Sequence, residues 1–222
     1  MSTLTSPRHV AGTRAGLTLV EMLVAASVLG LMLGAIATTL HRGDAAYRAG
    51  VSAAVVDTDC RRMRDRLASE FRDADRSSLN PNPTSTFWTS TIDFARVSGV
   101  AAGAAVLGPT RRLQLALEVG ELDNGVDDNG NGLIDERRLV LVPDVGTPGE
   151  SVVIGKYVRE RAEGELVNGL DDNANGISDE AGLWFLHDGN GTLTIGVTIE
   201  RLDTERRLIT RSLRTAVRMR ND

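Results

Sequence analysis

At 222 residues the chain has room for a membrane helix plus one globular domain of about 100–150 residues. A net charge of −5 excludes the broad basic face a nucleic-acid binder needs, so no nucleic-acid partner is expected; the arginines from Arg201 to Arg220 are a local exception. Aromatic residues make up only 4%, which leaves the core to Leu, Val, Ile and Ala, and a single cysteine, Cys60, excludes an intramolecular disulfide.

The first sixteen residues, MSTLTSPRHVAGTRAG, are short, polar and basic. A secretory signal places its apolar core before the cleavage site, whereas here the charged leader comes first and the apolar run follows Gly16. From Leu17 to Leu40 only Glu21 is charged. A helix of that length measures roughly 36 Å and crosses a bilayer. Arg8 and Arg14 on the N-terminal side set the N-terminus in the cytoplasm and the rest of the chain outside the membrane. Gly30 and Gly34, preceded at the same spacing by Ala26, form a small-residue ridge that lets helices approach closely in lipid; chance in a Gly-rich chain is the other reading.

Glu21 needs a reason. A carboxylate at depth in lipid costs about 2.5–3.5 kcal/mol, less near the interface. Cleavage after Gly16 would create an ammonium at Leu17, and a carboxylate four residues on could pair with it in its own chain or in a neighbour. The short basic leader, Gly16, the LTLVE that follows it and the apolar helix together resemble the cleavage and methylation signature of type IV prepilins and type II secretion pseudopilins. The resemblance covers about 25 residues. It implies a prepilin peptidase that cuts after Gly16 and methylates Leu17, with Glu21, Gly30 and Gly34 serving assembly. It also implies other pilin or pseudopilin subunits, an inner-membrane assembly platform and membrane lipid as partners. The location is then the bacterial inner membrane, single pass, with the head in the periplasm, and afterwards a periplasmic or cell-surface filament. The competing reading is a signal anchor with an accidental Glu.

The helical pattern continues beyond the membrane over residues 41–78, with Tyr47, Val51, Val55, Met63, Leu67 and Phe71 expected on one apolar face laid against the domain. Gly43 and Gly50 are places where it is expected to bend. The run RRMRDR reads as a solvated face, and Cys60 as a small residue on the helix, with a reactive thiol as the alternative. Pro81 and Pro83 stop the helix. Strand-like runs fill residues 79–222: TFWTSTIDFARV, RRLQLALEV, RRLVLV, SVVIGKYV, GLWFLH, TLTIGVTIERL and RRLITRSLRTAVRM, with HDGNGT as a hairpin turn. The Asn190 glycosylation triplet falls in that turn and is discounted. One long helix followed by strands predicts an α+β fold, a pilin-like helix packed on an antiparallel sheet. The ending TRSLRTAVRMRND and the segment RRMRDRLASEFRDADRSS resemble PilW-type minor pilins and J-type minor pseudopilins.

Within the head, residues 123–136 and 167–180 carry one pattern twice, 44 residues apart. The first copy offers Asp127, Asn129, Asn131, the backbone carbonyl of Leu133, and Asp135; the second offers Asp171, Asn173, Asn175, the carbonyl of Ile177, and Asp179. Oxygens at positions 1, 3, 5, 7 and 9 with Gly at 6 match most of an EF-hand calcium loop. Alternate residues of a tight turn aim inward, and Gly132 and Gly176 permit a left-handed backbone at the reversal. The twelfth position, normally a bidentate Glu, is Arg138 or Gly182; Glu136 and Glu180 are expected to substitute in part. The pattern therefore predicts a weak structural Ca²⁺ site of about 10⁻⁴–10⁻³ M, as in extracellular modules. Plain Asn/Asp/Gly turns that hold no ion are the alternative.

An enzyme is not expected. His9, His41 and His187 form no motif, and HExxH, GxSxG and phosphate loops are absent from the sequence. The expected function is a minor pilin or pseudopilin, cleaved and assembled through its N-terminal helix. The alternative is a membrane-anchored calcium-binding surface adhesin that does not polymerise.

Overall fold

The computed structural model describes residues 16–219, so the leader up to residue 15 and the final Arg-Asn-Asp lie outside the described residues. A single helix, α1 (Leu19–Arg72), carries both the apolar run and the amphipathic run, unbroken at Gly43 and Gly50. The chain divides after Tyr47 into two compact units, and each is described by itself. In the first, the side chains from Leu17 to Leu40 are exposed, and α1 is the one helix among the described residues long and apolar enough to cross a membrane.

The second unit, from Arg48 on, joins the latter part of α1 to one eight-stranded antiparallel sheet. The strands are β1 (Thr86–Thr89), β2 (Ile92–Ala101), β3 (Ala104–Leu117), β4 (Arg137–Val142), β5 (Val152–Val158), β6 (Leu183–Asp188), β7 (Thr192–Leu202) and β8 (Leu208–Arg218). Their order is β1-β6-β7-β5-β4-β3-β2, with β8 along the other edge of β7. Two strands share one edge of β7: β6 pairs with Leu193–Val197, and β5 touches it only at Val158↔Ile199. Because each β-strand of a regular sheet has two edges, β5 and β6 meet there end to end. Both acidic loops therefore leave the same region of the sheet, the first between β3 and β4 and the second between β5 and β6.

The helix face that packs differs in register from the expected one. Val56, Cys60, Met63, Leu67 and Phe71 are buried, while Tyr47, Val51 and Val55 are exposed. At about 100° per residue, seven steps from Val56 return to within roughly 20° of Met63, whereas eight steps from Val55 overshoot by about 80°. Gly155 of β5 lets the helix come close: a Cβ there would lie 1.9 Å from Met63 Cε. Phe71 stands at the centre, 4.7 Å from the Phe94 ring and 5.7 Å from Phe185. Beside this apolar seam the buried carboxylate of Glu70 is matched by Arg111 and, at 3.8 Å, by Arg96.

The helix also ends earlier than residue 78. After Arg72 the backbone turns onto the edge of β2, where the Asp75 N–H donates to Ala95 O at 3.0 Å and the Val97 N–H to Asp73 O at 3.0 Å. Asp75 then caps a 3-10 turn, Arg76–Ser78. These edge bonds satisfy main-chain groups that another helical turn would have left facing an unpaired strand.

Candidate functional site

Each acidic loop is shaped by its own side chains. Both carboxylate oxygens of Asp127 accept backbone N–H groups, Oδ1 from Gly130 at 2.7 Å and Asn131 at 3.2 Å, Oδ2 from Gly132 at 2.7 Å. Asn129 Oδ1 accepts from the Asn131 N–H and Asn131 Oδ1 from the Leu133 N–H, at 3.0 and 2.8 Å. The second loop repeats this: Asp171 accepts from Asn175 and Gly176, Asn173 from Asn175, and Asn175 from Ile177. Gly132 and Gly176 take φ of +90° and +93°, the left-handed reversal that position six requires.

The amide nitrogens point elsewhere. Asn129 Nδ2 donates to Glu136 Oε1 at 2.9 Å, and Asn131 Nδ2 donates to the same oxygen. Asn173 Nδ2 donates to Glu180 Oε1 at 2.8 Å, joined there by Asn175 Nδ2. Glu136 and Glu180 are thus the inner floor of each loop. Asp135 and Asp179 turn back and accept from the backbone of Asn124 and Gly125, and of Asn168 and Gly169. Those N–H groups hold the Asp179 carboxyl below the ordinary carboxylate range; slight burial opposes them, and nearby Arg161 adds to the lowering.

The structural repeat begins earlier than residues 123 and 167. Glu121 Oε1 accepts the Asn129 N–H at 2.9 Å, and Glu165 Oε1 accepts the Asn173 N–H at 3.0 Å. Just before them, Gly120 and Gly164 have positive φ, and a Cβ at either would stand 3.2 or 3.1 Å from the Cβ of Asn129 or Asn173. The signal was present in the sequence, where GELDNGVDDNGNGLIDE at 120–136 aligns with GELVNGLDDNANGISDE at 164–180 at the same 44-residue offset. Glu121 and Glu165 lie outside an EF-hand window, which is why reasoning from that motif passes over them.

Another juxtaposition comes only from the topology. Carboxylate oxygens of Asp123, Asp135 and Glu160 lie within 4.8 Å of one another, a cluster that could hold a metal ion. Glu160 follows β5 and belongs to the root of the second loop, so the cluster joins the two loops. Arginines already reach it: Arg137 Nη2 is 3.2 Å from Asp123 and 4.0 Å from Glu160, and Arg161 Nε is 3.5 Å from Glu160.

A test of fit for a cation is whether buried oxygens lack partners. Among the described residues, four carboxylate oxygens are buried with no hydrogen-bond donor: Glu121 Oε2, Glu136 Oε2 and Glu180 Oε2 at the loops, and Glu118 Oε2 just after β3. Oxygen donors of carboxylate and amide type suit a hard divalent cation such as Ca²⁺. The donor types suit such an ion at these oxygens, whereas the expected ligands Asp127 and Asp171 already use both carboxylate oxygens on backbone N–H groups.

At the membrane end, Gly16 and Leu17 are exposed and precede the helix. Glu21 has a local partner: its Oε2 accepts the Thr18 N–H at 2.8 Å, and the Thr18 hydroxyl accepts the Glu21 N–H at 3.3 Å. This is a capping box, legible as Thr-x-x-Glu at residues 18–21 but passed over in the sequence. Gly30 and Gly34 meet no atom within 4 Å where a Cβ would stand.

The fold defines an α+β protein whose apolar N-terminal helix fits a single membrane-spanning anchor. Comparison with family models, curated proteins and solved structures returned no match. What the chain does must then be argued from its own residues.

Proposed function

We propose that the chain is a minor pilin or pseudopilin: a filament subunit made as a precursor, cleaved after Gly16 and assembled through α1, with a head whose acidic loops are tied by Ca²⁺. The observation that carries this reading is the boundary itself. A basic leader meets Gly16, Glu21 falls five residues later, and an apolar helix follows in which every side chain up to Leu40 is exposed and available to lipid or to a neighbouring helix. The same helix continues into the amphipathic run that the antiparallel sheet buries, as a subunit with an outward head requires.

Within this reading Ca²⁺ has a structural role. When bound it supplies positive charge to loops rich in carboxylates, and binding energy becomes folding energy. Asp127 and Asp171 set the loop backbone, while Glu136 and Glu180 orient the Asn side chains of the loop. The deciding measurement is the intact mass of the protein extracted from membranes of a host carrying a prepilin peptidase. The expected species begins at Leu17 and carries one methyl group. A species retaining Met1 would overturn the filament reading and leave a tethered calcium-binding adhesin that does not polymerise.

A further inference from the structure

We propose that the charge holding the cation comes chiefly from the floor of each loop and not from its first aspartate: Glu121 with Glu136 in the first loop, Glu180 in the second. This rests on the calcium reading of the loops and changes which side chains carry it. Glu121, Glu136, Glu165 and Glu180 are 5%, 2%, 4% and 0% exposed. None has an ion-pair partner among the described residues. Glu118, also buried, differs because Lys156 Nζ lies 3.6 Å away.

In the first loop the two carboxylates bracket one residue. Glu121 takes the main-chain N–H of Asn129 and Glu136 takes its side-chain amide, each through Oε1. The remaining oxygens, Glu121 Oε2 and Glu136 Oε2, are both buried and have no donor. Buried carboxylate oxygens with neither a hydrogen-bond donor nor an ionic partner are costly, and a cation bound at these oxygens would offset that cost. In the second loop Glu165 is fully used, accepting from Asn173 N and Asp179 N, and only Glu180 Oε2 is left without a donor. The first loop therefore binds the more tightly. Asp127 and Asp171, by contrast, spend both carboxylate oxygens or most of their capacity on backbone N–H groups, so their main task is to fold the loop.

The test is calcium titration of the full-length protein in detergent, after chelator treatment, by calorimetry and thermal melting. Wild type should show two sites, the tighter in the first loop. E121Q combined with E136Q should weaken the tighter site at least tenfold, and E180Q should weaken the other. Without calcium, E121Q/E136Q should melt higher than wild type, because buried charge without an ionic partner is gone, while losing the calcium-dependent rise. That crossover is not expected of residues that only brace the loop. If calcium binds wild type but E121Q/E136Q titrates unchanged, or melts lower without calcium while D127N abolishes binding, the proposal is overturned and the first-position aspartates carry the ion. If wild type binds no calcium at millimolar concentration, the calcium reading itself fails and the proposal falls with it.

Discussion

Cys60 shows how burial decides what a side chain can do. It lies on the packed face of α1, and burial pushes its thiol up to about 11, with the nearby Asp57 and Asp59 adding to the rise and Arg211 opposing them. The thiolate is the nucleophile, so at neutral pH the native thiol stays protonated and inert. Alkylation by iodoacetamide at pH 7.5 should be negligible in the folded protein and rapid in denaturant; fast labelling of the native state would show that the helix face is open. Sequence alone left both readings of this residue standing. Glu21 presents the opposite lesson. Its capping partner, Thr18, is three residues away and legible as Thr-x-x-Glu, a local bond that a lone carboxylate beside the membrane does not by itself suggest. Capping operates within one chain, whereas the proposed pairing requires cleavage, so the two are separable in time.

At the scale of elements, alternation in the sequence located most strands, since a half-buried strand must repeat with period two. The hairpin arm at the start of β3 and the end of β2, residues 98–108, was not legible. SGVAAGAAVLG is small and weakly patterned, and its side chains are largely exposed, so nothing but pairing with its neighbour makes it a strand. The register of α1 on the sheet was also hidden, because the sequence offers two apolar rows and only the sheet selects between them. Leu67→Ala, at a fully buried position, should cost about 2–5 kcal/mol in chemical denaturation, and Val51→Ala, half-exposed, less than about 0.5 kcal/mol. Equal losses would mean the helix packs by the other row. The acidic loops divide in the same way. The spacing of Asp127, Asn129 and Asn131 was plain, and so was its repeat, but the direction in which the two asparagine amides point depends on Glu136, which the pairing of β3 with β4 brings underneath.

For the whole molecule, the proposed filament role is tested at Glu21. Glu21→Ala and Glu21→Gln divide the two roles of that residue. Gln keeps an acceptor for the Thr18 N–H but carries no charge, so both variants should insert normally and both should enter filaments less well. Loss of a pairing of about 1.4 kcal/mol gives a tenfold drop in incorporation. Wild-type incorporation of Glu21→Gln would leave capping as the sole function of the carboxylate. By itself the sequence determined what depends on near neighbours along the chain: the apolar span, the helix that continues it, most strands and the repeated loop. Those follow from periodicity and turn chemistry, which act over a few residues. Tertiary structure decided which helix row is buried, that Glu160 joins Asp123 and Asp135, and that Glu121 and Glu136 are sealed from water around one asparagine. Burial and desolvation arise only when distant strands pair, and no spacing along a chain encodes them directly.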